Sequence, residues 1–326
     1  MKKIIFLNFL IIFVIIITLE IITNFFKLSG LMGIQDGLIY KKNGINYLYP
    51  NKQGVIFNKE IFTDQFGFRV PNSNFNYIND ENIFILGDSV AFGNGIIEDS
   101  TFVGLVRKNI ANKNFLNTSV PGYQIKDHIN VIKKIDNFQN IEKILYFYTL
   151  NDIYNSSNLV NSKKKISKIN NSNEGSFRLK DFKLFNKLNT FFRNKSYLYM
   201  FIKGIGTDPS KRWFSNLYPQ YLNQDFLFLK KNFKILHDIS KKNNSEFIVI
   251  ILPYEYQTRK CSNENLLPQK EIANILNNLS IQYRDMTDDF CNEKKPNNNF
   301  YKFDPMHLSK KGHMLVYNLI INEINF

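Results

Sequence analysis

Asn82-Ile83-Phe84-Ile85-Leu86-Gly87-Asp88-Ser89 is the stretch that decides the fold. The run from Asn82 to Gly87 is short, apolar and closed by glycine, the mark of a buried strand. A serine directly after such a strand, with a helix following, sits at the carboxyl edge of a sheet. Open α/β sheets place their sites at that edge. Gly87 permits the tight turn. Ser89 is then held outward, with its backbone N–H free to point at a developing oxyanion. Gly-Asp-Ser alone is also the pattern of a turn with a helix N-cap, so its meaning depends on the rest of the chain.

Working outward, strand-like and helix-like patterns alternate. Thr101–Ala111 has helical spacing, Asn114–Val120 is a weak strand, and Gln124–Phe138 reads as a helix. Ile144–Leu150 is a buried strand, and Glu246–Leu252 is another, stopped by Pro253. Between them, Tyr221–Lys242 is an amphipathic helix. Pro268–Leu279 reads as a helix with proline at its start, Ile281–Asp285 as a short strand, and Leu308–Ile324 as the closing helix. Such alternation implies an α/β fold with a parallel sheet covered on both faces. Residues 81–326 would form this domain. Asn155–Asn173 is polar and loop-like, and Phe182–Ile205 is aromatic and apolar, suited to a helical cap; residues 155–220 read as an insertion. Residues 27–80 are rich in Asn, Gly, Tyr and Lys and read as an irregular connection.

That connection leads back to an apolar N-terminus. Lys2 and Lys3 precede an uncharged run from Ile4 to Leu19; Glu20 interrupts it, and apolar residues continue to Phe26. About 23 residues at roughly 1.5 Å each cover a bilayer core. Residues 1–26 therefore read as a transmembrane anchor with the N-terminus inside. The alternative is a cleaved signal peptide; either way the rest of the chain is exported. The net charge of +14 does not point to nucleic acid, because the lysines are scattered. The local run Lys163–Lys165 reads as a solvated loop. Cys261 and Cys291 either pair, as an oxidising compartment allows, or stay separate as buried thiols. No His/Cys spacing suggests a metal, and no cofactor motif is present.

The second chemical motif is Asp304-Pro305-Met306-His307, just before the closing helix. A serine is a poor nucleophile until a base takes its proton, and the base needs a partner to fix its tautomer. An Asp three residues before a His can hold one ring nitrogen while the other faces the serine. Four blocks now stand in order: Gly87-Asp88-Ser89, Gly122 in Val120-Pro121-Gly122-Tyr123, Asn151-Asp152 after a strand, and Asp304-x-x-His307. Together they resemble the SGNH (GDSL-type) hydrolases. Thr63-Asp64-Gln65-Phe66-Gly67-Phe68-Arg69 also looks like the Gly-Phe-Arg stretch of anchored relatives. The resemblance covers about residues 60 to 325.

It implies a flavodoxin-like three-layer α/β/α fold, with Ser89 as nucleophile and His307 as base, oriented by Asp304. It also implies an oxyanion hole made by the backbone N–H groups of Ser89 and Gly122 and the side-chain amide of Asn151. Two positions depart from the family pattern. Val90 replaces the usual leucine, and Thr149 replaces the glycine of Gly-x-Asn-Asp, adding bulk near the oxyanion region. Asp88 and Asp152 read as carboxylates that hold turns, and His128, His237 and His313 as structural. Tyr254 and Gln257, on the loop leaving the fourth strand, are candidates to line a substrate cleft. The implied activity is hydrolysis of an ester on an extracytoplasmic glycan or lipid through an acyl-enzyme. An O-acyltransferase acting on an envelope polysaccharide, and an inactive envelope-binding module, are the alternatives.

Overall fold

The computed structural model describes residues 2–30, 37–77, 81–134, 138–153, 183–222 and 226–326. The expected polar loop, Asn155–Asn173, and with it the Lys163–Lys165 run, lies outside the described residues. The strands are β1 (Ile39–Lys42), β2 (Ile45–Leu48), β3 (Gln53–Ile56), β4 (Lys59–Thr63), β5 (Arg69–Val70) and β6 (Asn82–Gly87). They continue with β7 (Asn114–Asn117), β8 (Ile141–Tyr148), β9 (Glu246–Ile251) and β10 (Gln282–Asp285). The main sheet has the order β10-β9-β8-β6-β7-β5-β4-β3. Its β10-β9-β8-β6-β7 part is parallel throughout. Counted from β6, that is the 2-1-3-4-5 order of flavodoxin-like sheets, whose switch point lies between the first and third strands. Here those strands are β6 and β8.

Alternation along the strands feeds two cores. Phe84 and Leu86 of β6, with Tyr146, Tyr148, Val249 and Ile251, pack on one face under helices that include Leu227–Lys242 and Leu267–Asn278. Ile83 and Ile85, with Leu145, Phe147, Ile248 and Ile250, pack on the other under Phe102–Asn109 and Lys310–Glu323. Phe115 and Leu116 divide between the two faces in the same way. The three-layer α/β/α arrangement follows from this pattern.

The expected irregular connection, residues 27–80, holds regular strands among its described residues. β3, β4 and β5 extend the main sheet antiparallel beyond β7, and β1 and β2 form a separate hairpin. Asn43-Gly44 joins β1 to β2 with φ of 52° and 81°. Two residues with positive φ, Asn then Gly, are the favoured tight hairpin connection. Phe57-Asn58 joins β3 to β4 in the same way, with φ of 49° and 59°. Phe182–Ile205, expected as a helical cap, holds two helices, Lys183–Lys195 and Tyr197–Gly206. The first helix, Lys2–Phe25, is long and apolar enough to cross a membrane, and its apolar window is unburied.

Cys261 and Cys291 form a disulfide, with Cα atoms 6.0 Å apart and 30 positions of chain between them. Closing a loop of that length contributes about 3–4 kcal/mol by the chain-entropy argument. The urea midpoint of the full chain is therefore expected to fall on adding dithiothreitol, and Cys261→Ser/Cys291→Ser to match the reduced protein. An unchanged midpoint would contradict the bridge.

Candidate active site

Ser89 starts a short helix, Ser89–Phe92, directly at the end of β6. Asp88 caps it: its Oδ1 accepts from the Val90 N–H at 2.8 Å. Val90 and Ala91 are buried beneath, so the valine that replaces leucine is a packing residue. The turn is braced from behind by Arg69. Its guanidinium is fully buried and donates to the carbonyls of Phe92, Gly93 and Ile96. Glu98 pairs with Arg69 at 2.8 Å, and with Arg107. Asp64, in the same upstream stretch, accepts from the Phe66 and Phe68 N–H groups, each at 2.8 Å. The Gly67-Phe68-Arg69 stretch therefore holds the serine turn in place.

On the far side of the sheet edge, the loop before the last helix is closed on itself. Tyr301 N–H donates to the His307 carbonyl at 3.0 Å, and Phe300 bridges Leu308. Asp304 Oδ1 accepts from the Met306 and His307 N–H groups at 3.0 and 2.7 Å. Its Oδ2 takes His307 Nδ1 at 2.9 Å. With the proton on Nδ1, Nε2 is the acceptor, and it lies 2.8 Å from Ser89 Oγ. One carboxylate thus shapes the turn and fixes the tautomer. The sequence motifs at Ser89, Asp304 and His307 meet in one site.

The electrostatics match that arrangement. Burial alone would lower the His307 pKa, but the charge and hydrogen bond of Asp304 outweigh it, and Asp88 adds to them; the net shift is upward. Burial works to raise the Asp304 pKa, but the His307 interactions and backbone N–H bonds carry it below the ordinary carboxylate value. His313 is buried, accepts from the Phe102 N–H at 3.2 Å, and burial drives its pKa down to about 3. His128 is likewise buried and held at about 3 by desolvation.

A polar network joins β6 to β8 at the switch point. Asn151 Nδ2 donates to Asp88 Oδ2 at 3.0 Å. The Thr149 hydroxyl lies between Asp88 Oδ2 at 3.1 Å and Asn151 Oδ1 at 2.7 Å, and its one proton serves one of them at a time. Tyr254 OH donates to Asn151 Oδ1 at 2.9 Å. The threonine that stands where glycine was expected is therefore a member of the network that sets the Asn151 amide. Tyr254 holds its oxygen, joined by Thr149 when the threonine proton turns that way, and Asp88 holds its nitrogen, leaving the second N–H as a donor. Asp152 is buried beneath, accepting from Tyr146 OH at 2.8 Å. Burial, with the Asp88 charge adding, pushes its pKa well up.

Gly122 has φ of +83°, a conformation that a side chain would strain. Its loop is held by Asn46 of β2, whose amide donates to the Pro121 carbonyl at 3.2 Å. The two candidate cleft residues sit elsewhere than expected. Tyr254 is fully buried, with its hydroxyl on Asn151. Gln257 is also fully buried, and its amide pairs with Gln269, the Asn265 carbonyl and the Tyr254 N–H. Gln257 caps a turn; its amide is spent inside the protein.

Three neighbours of the site gave no signal in the sequence. Asn46 is one. Asn94 Nδ2 lies 3.3 Å from His307 Nε2, and its Oδ1 has no partner among the described residues. The Phe57 ring lies 6.1 Å from the His307 ring. Asn46 and Phe57 come from the hairpins of residues 37–63, and Asn94 from a Gly-Asn-Gly turn; only the folded chain brings them here. Among the described residues, no group of His, Cys, Asp or Glu is placed to hold a metal ion.

No protein-family model and no curated protein matches the sequence. Solved structures do. One is the lipase/acylhydrolase from Enterococcus faecalis, at 14% identity and TM-score 0.43, covering 75% of this chain and 95% of that one. A member of the lipolytic protein G-D-S-L family from Veillonella parvula DSM 2008 is similar at 13% identity and TM-score 0.41, covering 75% and 98%. The acetyl xylan esterase AlAXEase is similar at 13% identity and TM-score 0.42, covering 75% and 100%. Likenesses this loose settle neither activity nor substrate, which must be read from the side chains.

The chain has four histidines, and NMR titration of their imidazoles should separate them. His307 is expected to titrate above the ordinary histidine value of about 6.5, and Asp304→Asn to move it down. His128 and His313 are expected to stay neutral down to the acid limit of the fold. A His307 that titrates below the ordinary value would contradict the geometry.

Proposed function

We propose that this chain is a membrane-anchored serine esterase of the SGNH class, which hydrolyses an ester on an extracytoplasmic glycan or lipid. One observation carries the reading: Ser89 Oγ, His307 Nε2, His307 Nδ1 and Asp304 Oδ2 form a continuous line of 2.8 and 2.9 Å contacts. That is the geometry by which a neutral imidazole takes a hydroxyl proton while a carboxylate steadies the resulting imidazolium.

The reaction runs in two halves. Ser89 Oγ attacks the ester carbonyl as its proton passes to His307 Nε2. The tetrahedral oxyanion is met by the backbone N–H groups of Ser89 and Gly122 and by the free N–H of the Asn151 amide. Such preset donors contribute roughly 3–4 kcal/mol each to the transition state. Collapse expels the alcohol, which leaves with the proton from His307. Water then repeats the sequence on the acyl-enzyme, His307 taking its proton and returning it to Ser89, and the acid is released. Asp88, Thr149 and Tyr254 act through Asn151 as positioning residues. The Cys261–Cys291 bridge supports an oxidising, exported location. The Lys2-Lys3 pair ahead of an apolar helix supports an inward N-terminus.

Ser89→Ala is expected to lower turnover of p-nitrophenyl acetate at least about 10⁴-fold with an unchanged melting curve; retained turnover would end the reading. The base must be neutral to work and its pKa is raised. Activity is therefore full above that value and lost as pH falls through it. In kcat/KM profiles, Asp304→Asn is expected to move this acid limb to lower pH and to cost on the order of 10⁴-fold in kcat. An acid limb that does not move would contradict the pairing.

A further inference from the structure

The N-terminal helix is tied into the catalytic domain. Near the end of its apolar span, Glu20 accepts from Ser196 Oγ at 2.6 Å, Tyr197 N–H at 2.6 Å and Leu198 N–H at 3.2 Å. These donors are the first turn of the helix Tyr197–Gly206. Thr23 and Ser29, just beyond, are buried. A carboxylate at that position of a spanning helix lies at headgroup level. The helix it caps therefore starts at the bilayer surface.

The surface beside it has the composition of an interfacial element. Leu188, Phe191 and Phe192 recur at helical spacing on Lys183–Lys195, and Ile202 and Ile205 on Tyr197–Gly206; all are exposed. No acidic residue occurs between Lys183 and Gly206, while Lys187, Arg193 and Lys195 are exposed cations. Apolar and aromatic residues with Lys and Arg alongside are what a helix lying in an anionic lipid interface presents.

The same helix touches the catalytic loop. Gly204 lies against the Phe303 ring so closely that a Cβ there would come within 2.3 Å of it. Lys302 Nζ sits over the rings of Phe201 and Phe303, at 5.6 and 5.0 Å. Tyr197 OH accepts from Asn58 at 2.9 Å, next to Phe57, whose ring adjoins His307.

We propose that helices Lys183–Lys195 and Tyr197–Gly206 lie in the bilayer interface beside the anchor and hold the Asp304–His307 loop against it. Resting on the esterase reading above, the ester this site receives is then one displayed at the lipid surface. The membrane, rather than a partner protein, covers the apolar patch, because the patch is continuous with the spanning helix and carries no acidic residue.

The full chain is reconstituted in phosphatidylcholine–phosphatidylglycerol vesicles with brominated acyl chains. Trp213, the single tryptophan, is replaced by Phe, and Phe191→Trp or Asn278→Trp supplies the probe. Both positions are exposed, and Asn278 ends its helix at the edge of the sheet opposite the site. The proposal predicts that bromolipid quenches the Phe191→Trp emission several-fold more than that of Asn278→Trp, with acrylamide giving the reverse order. Equal acrylamide quenching of both, or protection of Phe191→Trp from both quenchers, overturns it: the patch is then wet or covered by protein. Failure of the chain to float with the vesicles overturns it through the anchor. None of these readouts needs turnover, so they stand apart from the esterase reading. For the substrate class, Ile202→Asn/Ile205→Asn should cut turnover of a vesicle-embedded ester several-fold and leave that of a water-soluble ester unchanged. Equal effects on both esters would overturn the lipid-surface assignment.

Discussion

Contact between Ser89 Oγ and His307 Nε2 joins two points 218 positions apart in the chain. Nothing local brings them together. The serine is placed by β6, a strand buried on both faces and flanked by β7 and β8. The histidine is placed by a loop that the Phe300–Leu308 bridge and the Asp304 turn hold shut. Each side is braced: Arg69 grips the carbonyls after the serine helix, and Glu255 N–H donates to the Pro305 carbonyl at 3.0 Å. Reactive geometry has a tolerance well under an ångström or two. These braces, rather than the two reacting side chains, set it.

What the sequence disclosed divides along physical lines. β6, β8 and β9 were readable because a buried parallel strand is a continuous apolar run, and the helices between them carry a helical period. The Ser89, Gly122, Asn151 and Asp304–His307 blocks were readable because each lies next to such an element. Residues 37–70 give a weak strand signal because their strands are short, partly exposed and rich in Asn, Lys and Tyr. Asn43-Gly44 is a hairpin signal that they do carry. Tertiary side-chain choices left no trace at all. From its loop Gln257 reads as a cleft residue, yet its amide pairs with Gln269 on the following helix. Thr149 looked like added bulk near the oxyanion region, yet its hydroxyl joins Asp88 to Asn151.

The network around Asn151 explains how a neutral amide can be aimed: the Asp88 carboxylate takes one N–H and the Tyr254 hydroxyl holds the oxygen. Asp88, Thr149 and Tyr254 surround the amide, and they come from the ends of three neighbouring strands, β6, β8 and β9. A preset donor needs no reorganisation when charge develops on the substrate. The same economy extends outward. The disulfide ties Cys261, after the Tyr254 turn, to Cys291, ahead of the loop that carries His307, and the N-terminal helix reaches that loop through Tyr197–Gly206.

In the proposed reaction Ser89 is activated by His307. A fluorophosphonate reports this directly, because it reacts with a serine in proportion to its activation and the adduct is located by peptide mass spectrometry. One adduct is expected on the folded chain, at Ser89, and it disappears in His307→Ala. An adduct at another serine alone, or labelling of Ser89 that is indifferent to His307, would contradict it.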